Sequence, residues 1–149
     1  MLLNMDAKRE VLLAPQAGAF ASAAAITSKP LVNYKTVRFL ICTGTGEAAD
    51  VNVTVEAQDG VAGTPVPMPF LCAERNAQPV EKPETGVAVT IGGDDTNAHL
   101  YAITVTADML ARFAADRVTL KVTAAAGSTV PGAIIAEYNR PRYTENNAE

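Results

Sequence analysis

The chain has 149 residues, of which 48% are hydrophobic and 19% charged, a composition typical of a single folded domain and not of a disordered segment. The net charge of −4 and the absence of a basic patch argue against nucleic-acid binding as a primary task. No apolar run approaches the roughly 18 residues that a membrane helix needs. Aromatic residues make up 5% and tryptophan is absent, so the core must consist mainly of Val, Ile, Leu and Ala.

The N-terminal segment, residues 1–14, mixes charged and aliphatic residues at loose helical spacing. We interpret it as a short helix or as an arm that becomes ordered on a partner. Residues 11–25 end in small side chains like a signal-peptide cleavage site, but Pro15, Gln16 and Gly18 interrupt the apolar part. We therefore expect no secretion through a signal peptide. Residues 20–27 are predicted to form a first strand.

The strongest strand pattern covers Tyr34–Thr43 and Val51–Gln58. In the first segment Val37, Phe39 and Ile41 fall on one face, and Leu40 and Cys42 make its late half apolar on the other face too. In the second segment valines alternate with polar residues. Alternation of this kind is typical of half-buried antiparallel strands. The link between the segments is short and rich in glycine, which predicts a hairpin.

The second half of the chain continues with short alternating segments. Prolines at positions 65, 67 and 69 confine the following segment to a sheet edge or to an irregular crossing. Residues 73–86 are predicted to form a long exposed loop. Further strands are predicted at residues 87–91, 101–106, 117–123 and 133–138. Asp108 is the predicted N-cap of one brief helix over residues 109–115.

This spacing predicts an all-β fold, an antiparallel β-sandwich or jelly-roll-like barrel of about eight short strands with one short helix. The predicted organisation is an arm at residues 1–14, a single sandwich domain at 15–143 and a polar tail at 144–149.

No catalytic set, cofactor site or metal site is predicted. His99 is the only histidine, and we interpret it as an ordinary residue at the start of a strand. Asp94, Asp95 and Asn97 could offer oxygens to calcium, but the alternate ligand spacing and the bidentate Glu of a calcium loop are missing, so a turn is the simpler interpretation. The glycines at 44 and 46 lead into a strand, which excludes a dinucleotide loop.

Cys42 and Cys72 both fall in predicted strands. We expect two small buried hydrophobic residues with free thiols, although the spacing leaves a disulfide open. No Cys-x-x-Cys or Cys/His cluster is present, which argues against structural zinc.

The best candidates for a partner interface are Tyr138, Arg140, Arg142 and Tyr143, because Arg and Tyr are the side chains that most often anchor interfaces. The alternative is a solvated end of the last strand.

The order of these features resembles a group of small structural proteins of tailed bacteriophages and prophages. The resemblance extends from residue 14 to residue 143 and lies in a series of segments, none of them diagnostic alone. These are an early alanine-rich strand, NYKTVRFLICTG at 33–44, VNVTVEAQDG at 51–60, AGTP at 62–65, the turn at 92–97, the strand at 101–106, ADML leading into DRVTLKVT within 107–123, and GAIIAEYNRPRY at 132–143.

The resemblance implies a head decoration (cement) protein that binds the major capsid protein, with a neck or tail component as the alternative. It implies location in the virion after synthesis in the bacterial cytoplasm, a homo-oligomer (dimer or trimer), and no nucleic-acid or membrane partner. A non-catalytic carbohydrate-binding sandwich is the competing interpretation, weakened by the few aromatic residues. An enzyme is the least favoured one.

Overall fold

The computed structural model describes residues 7–45, 51–74, 80–82, 89–91, 98–123 and 129–141. The strands are β1 (Ala7–Gln16), β2 (Ala24–Thr27), β3 (Tyr34–Thr43), β4 (Val51–Gln58), β5 (Val66–Pro67), β6 (Phe70–Glu74), β7 (Val80–Lys82), β8 (Val89–Ile91), β9 (His99–Thr106), β10 (Arg117–Thr123) and β11 (Gly132–Pro141). A 3-10 turn covers Leu31–Asn33, and the helix α1 covers Ala107–Ala111.

The strands form two sheets. Sheet A has six strands in the order β1-β11-β3-β9-β6-β7, and sheet B has the order β2-β10-β4-β5, with β8 also paired to β4. All of the pairings are antiparallel. The predicted all-β class is confirmed, and the sandwich is the form observed, since the described strands lie in two separate sheets.

The core lies between the two sheets and consists of the inward side chains of alternating strands. Sheet A contributes Phe39, Ile103 and Ile134, each fully buried, and sheet B contributes Val53 and Leu120, also fully buried. Successive side chains of a strand point to opposite faces, so β3, β4 and β9 bury about every second residue. The largest fully buried side chains are Tyr138, Phe20, Phe39 and Phe70, packed among Val, Ile and Leu. The period-two pattern of the sequence therefore predicted the inner faces correctly.

The predicted hairpin between Tyr34–Thr43 and Val51–Gln58 is wrong. β3 lies in sheet A between β11 and β9, whereas β4 lies in sheet B between β10 and the short strands β5 and β8. Alternation indicates that one face of a strand is buried, but it does not identify the neighbouring strand. The two segments therefore lie in different sheets and do not pair by hydrogen bonds.

The N-terminal boundary also needs correction. Residues 7–14 were predicted to belong to an arm or a helix, but they form most of β1, which pairs with β11 at the edge of sheet A. The register shifts between Val11 and Leu13 and again between Leu13 and Gln16, and such bulges twist an edge strand away from unwanted pairing. Residues 1–6 and the predicted tail at 144–149 lie outside the described residues.

Three smaller predictions change as well. The first strand is shorter than residues 20–27, since β2 contains only Ala24–Thr27 and Phe20 is buried before it. The predicted loop at residues 73–86 contains β7. The N-cap of α1 is Thr106 and not Asp108, because the Thr106 hydroxyl accepts a hydrogen bond from the Met109 amide at 3.2 Å. The prediction for the segment that contains the prolines at 65, 67 and 69 is confirmed. β5 is a two-residue strand at the edge of sheet B, and the chain then crosses to sheet A, where it forms β6.

Candidate interaction surface

An apolar row crosses five strands on the outer face of sheet A. The registers place Val11 of β1 beside Ile135 of β11, Ile135 beside Leu40 of β3, Leu40 beside Ala102 of β9, and Ala102 beside Ala73 of β6. A second, shorter row consists of Ala133, Cys42 and Leu100. These two rows are called the apolar rows below. Sheet A is therefore apolar on both of its faces along this part.

Several side chains of the apolar rows reach solvent. Val11 is 59% exposed and Leu100 is 40% exposed, and Cys42 is exposed between Leu100 and Ala133. Leu40 and Ile135 are partly exposed at the centre. Scattered single apolar residues are ordinary on protein surfaces, whereas the largest contiguous apolar patch of a monomer is often a functional surface.

A charged row borders the apolar rows on the same face. Arg9 of β1, Glu137 of β11 and Arg38 of β3 are direct neighbours in the register. Arg9 Nε donates to Glu137 Oε2 at 2.8 Å, and an Arg38 guanidinium nitrogen lies 3.9 Å from Glu137 Oε1. The Arg9 hydrogen bond lowers the pKa of Glu137 below its usual value, against the opposing effect of burial. The carboxylate is thus held ionised between two cations.

The arginines of this row keep much of their surface. The side chains of Arg9 and Arg38 are 71% and 49% exposed, while that of Glu137 is only 12% exposed. A guanidinium has five N–H donors, so the single carboxylate does not occupy them all. The charged row can therefore donate hydrogen bonds to a further acceptor.

The interface residues predicted from the sequence have different positions. Tyr138 is fully buried, so its side chain cannot anchor a partner, and this part of the prediction is corrected. The reason is visible in the alternation, since Tyr138 shares the inner face of β11 with Ile134 and Ala136. Arg140 lies near the end of β11, whereas Arg142 and Tyr143 lie outside the described residues.

Tyr138 instead closes one end of the core. Its hydroxyl accepts a hydrogen bond from the Lys29 amide at 2.8 Å, and its ring lies 5.4 Å from that of Tyr34. Glu10 forms an ion pair with the Lys29 ammonium at 3.3 Å and lies 3.5 Å from the Tyr138 hydroxyl. Burial raises the pKa of Tyr138, and the nearby Glu10 carboxylate acts in the same direction. This group joins β1, β11 and the segment before β3, which is a structural role.

The outer face of sheet B carries polar side chains on β4 and β10 beside a groove whose lining is mostly apolar. Thr119 is buried on this face. Its hydroxyl donates to the Gln58 side-chain oxygen at 2.6 Å and lies 3.0 Å from the Thr27 hydroxyl, and these contacts offset the cost of burying it. An open groove on this face is lined by Ala23, Ala24, Ala25, Glu56, Pro65, Thr119, Lys121 and Val122. None of these lining residues is aromatic, so the groove lacks the platform on which sugar-binding modules stack their ligands.

The structure describes two of the three other groups of candidate residues, His99 and the two cysteines. His99 is the first residue of β9, as predicted, and its ring stacks on Tyr101 at 5.9 Å. No disulfide joins the cysteines; Cys72 is buried as expected, but Cys42 is exposed, which corrects the expectation of two buried thiols. Asp94, Asp95 and Asn97 lie outside the described residues.

Within the described ranges, no three His, Cys, Asp or Glu side chains come together as a metal site would require. No helix in that part of the chain has the length and apolarity to span a bilayer. No protein-family model matches the chain, and no curated protein or solved structure matches it.

The apolar rows were not predicted from the sequence, although the pattern of β3 contained one indication of them. The late half of β3 is apolar on both faces, with Leu40 and Cys42 opposite to Phe39 and Ile41. A strand of this kind must be covered on both sides or must present an apolar surface to solvent. Which strands lie beside it, and hence the extent of the surface, depends on long-range pairing that the alternation does not encode.

Proposed function

We propose that this chain is a non-catalytic structural protein that binds another protein through the outer face of sheet A. More specifically, we propose a decoration protein of a tailed bacteriophage or prophage, bound to the lattice of the major capsid protein. The observation that carries the proposal is the apolar row across five strands, bordered by the charged row. Burial of such an apolar surface against a partner lowers the free energy of the complex.

The phage assignment rests on the resemblance of the segment order, and the fold agrees with it in physical terms. A sandwich of two sheets is stiff, and sheet A presents a broad outer face of several strands. An oligomer of this chain that engages several lattice sites at once would gain avidity without a tight single site. The expected dimer or trimer stays a prediction, which a mass measurement in solution checks.

Co-sedimentation with capsids tests the proposal. The purified chain is mixed at micromolar concentration with emptied capsids that lack it, taken from the phage or prophage that encodes it. We expect the chain to pellet with the capsids at a fixed ratio to the major capsid protein. A chain that stays in the supernatant would contradict the decoration role, and its detection in isolated necks or tails by mass spectrometry would favour the alternative location.

The carbohydrate-binding alternative has a separate test. The groove of sheet B is the most suitable place for a sugar, but it offers Glu56, Lys121 and threonines without an aromatic ring. We expect a glycan array to give no reproducible hits. Hits that disappear in Glu56→Ala would contradict the assignment to protein binding.

A further inference from the structure

We propose that the outer face of sheet A binds an apolar strip of the partner protein that carries exposed carboxylates along one side. This inference rests on the proposed function and adds the chemistry of the partner. The apolar rows supply the contact area, and Arg38 and Arg9 supply the recognition of charge. The partner's carboxylates thus lie over the charged row and its aliphatic side chains over Leu40 and Ile135.

The charge of this face points to an acidic partner. The charged row contains two arginines and one glutamate, a net charge of +1, whereas the whole chain carries −4. Glu137 already has both arginines within 4 Å, so the positive excess faces outward. Paired charges of opposite sign at the rim of an interface set orientation and partner choice. A carboxylate of the partner would complete the row with a charge-assisted hydrogen bond to Arg38.

A second copy of this chain fits the same face poorly. Among the outer-face side chains described on β1, β11, β3, β9 and β6, Glu137 is the only carboxylate. A copy packed face to face would therefore bring two more arginines to the charged row, and the register places a further acidic residue, Glu81 of β7, three strands away from Arg38. Arg38 of the second copy would lie beside the arginines of the first copy or against its aliphatic side chains, and neither arrangement pairs its charge.

The size of the apolar rows gives the same answer. The first row crosses five strands about 4.8 Å apart and the second, about 7 Å away, crosses three, which outlines an apolar area of at most about 300 Å². Ala73 and Ala133 within this area are buried. A stable dimer buries roughly 800 Å² on each partner. The apolar rows alone are thus too small to hold two isolated molecules together, and a contact with the partner needs the charged row as well.

Charge reversal on the two outer faces tests this inference. Arg38→Glu reverses a charge in the charged row, and Lys121→Glu makes the same change at an exposed position of β10 on sheet B. Leu100→Asp places a charge in the apolar rows, and Val61→Asp places one at an 84% exposed position in the turn after β4. Binding of each variant to emptied capsids is titrated by co-sedimentation. Thermal unfolding confirms folding, and Arg38→Gln and Leu100→Ser replace any variant that fails to fold.

We expect Arg38→Glu and Leu100→Asp to weaken capsid binding by about tenfold or more, which corresponds to about 1.4 kcal/mol, and both controls to bind within about twofold of the wild type. Equal binding by Arg38→Glu and Lys121→Glu, with the wild type bound, would overturn the inference and leave the decoration role standing. Absence of wild-type binding would overturn the decoration role, and the inference with it.

Discussion

Single side chains show how the outer face of sheet A is held in place. Glu137 is nearly covered, yet it stays charged because Arg9 and Arg38 flank it and the Asn139 amide donates to Oε1 at 3.2 Å. Exposed ion pairs contribute little to stability, roughly 0–1 kcal/mol each. The value of this row is therefore orientation, since it fixes two guanidinium groups beside Leu40 and Ile135.

Glu137 makes the free energy of unfolding depend on pH in the acidic range. Its pKa is lower in the folded chain than its ordinary value of 4.5, so below about pH 5 the unfolded chain binds more protons than the folded one. The contribution is present above pH 4.5 and is lost as the pH falls through the folded pKa. We expect urea midpoints to fall less between pH 5 and pH 3 for Glu137→Gln than for the wild type. An equal fall of the urea midpoint in Glu137→Gln and the wild type would contradict the pairing of Glu137 with Arg9. Arg9→Gln should also make the midpoint fall less than in the wild type over this pH range.

The N-cap of α1 gives a second prediction for a single residue. Thr106→Ala removes the oxygen that accepts from the Met109 amide, and we expect a loss of about 1 kcal/mol in the free energy of unfolding. Thr106→Ser keeps the oxygen and should stay close to the wild type. Chemical denaturation of the three proteins checks this, and equal losses in both variants would show that the methyl group matters and not the cap.

At the scale of whole strands, the sequence predicted the inner faces but not the neighbours. Alternation in β3, β4, β9 and β10 identified their buried residues, because burial of one face is a local property of each strand. The pairing of β3 with β11 joins segments about a hundred positions apart, and nothing local to either strand specifies it. The same limit hid the interaction surface, because the apolar rows exist only once five strands are side by side.

Tyr138 shows what the alternation could have corrected. Its place near the end of the chain suggested an anchor for a partner, yet it has the same parity as Ile134 and Ala136, which are buried. The pattern of β11 alone therefore placed Tyr138 inside. The charged row is less predictable, since Arg9, Arg38 and Glu137 are far apart in the sequence and meet only through two pairings.

The start of β11 gives a prediction for an element. At Gly132 an added Cβ would overlap the Phe20 ring and would lie 2.7 Å from the Cys42 carbonyl oxygen. We expect Gly132→Ala to lower the free energy of unfolding by about 2 kcal/mol, within the range of overpacked cores. Gly60→Ala is the control, because it meets nothing within 4 Å and costs only about 1 kcal/mol for its positive φ. A smaller loss at Gly132 than at Gly60 would contradict this packing.

On the scale of the whole molecule, the two outer faces of the sandwich differ in character. Sheet B presents threonines and an open groove lined mostly by alanines, Pro65 and Val122, whereas sheet A presents the apolar rows and the charged row. The inner faces account for the stability of the fold, so the apolar residues on the outside of sheet A are not needed for the core. Their position is explained if a partner protein covers them.

The exposed thiol of Cys42 allows the most direct test of this account. Cys42 lies within the apolar rows, whereas Cys72 is buried in the core and serves as an internal control. The protein, free or bound to emptied capsids, is treated briefly with a maleimide, and labelling at each cysteine is measured by mass spectrometry. We predict rapid labelling of Cys42 in the free protein, strong protection of it on the capsid, and slow labelling of Cys72 in both states. Labelling of Cys42 at the same rate in the bound and free protein would contradict the claim that the outer face of sheet A is the binding surface.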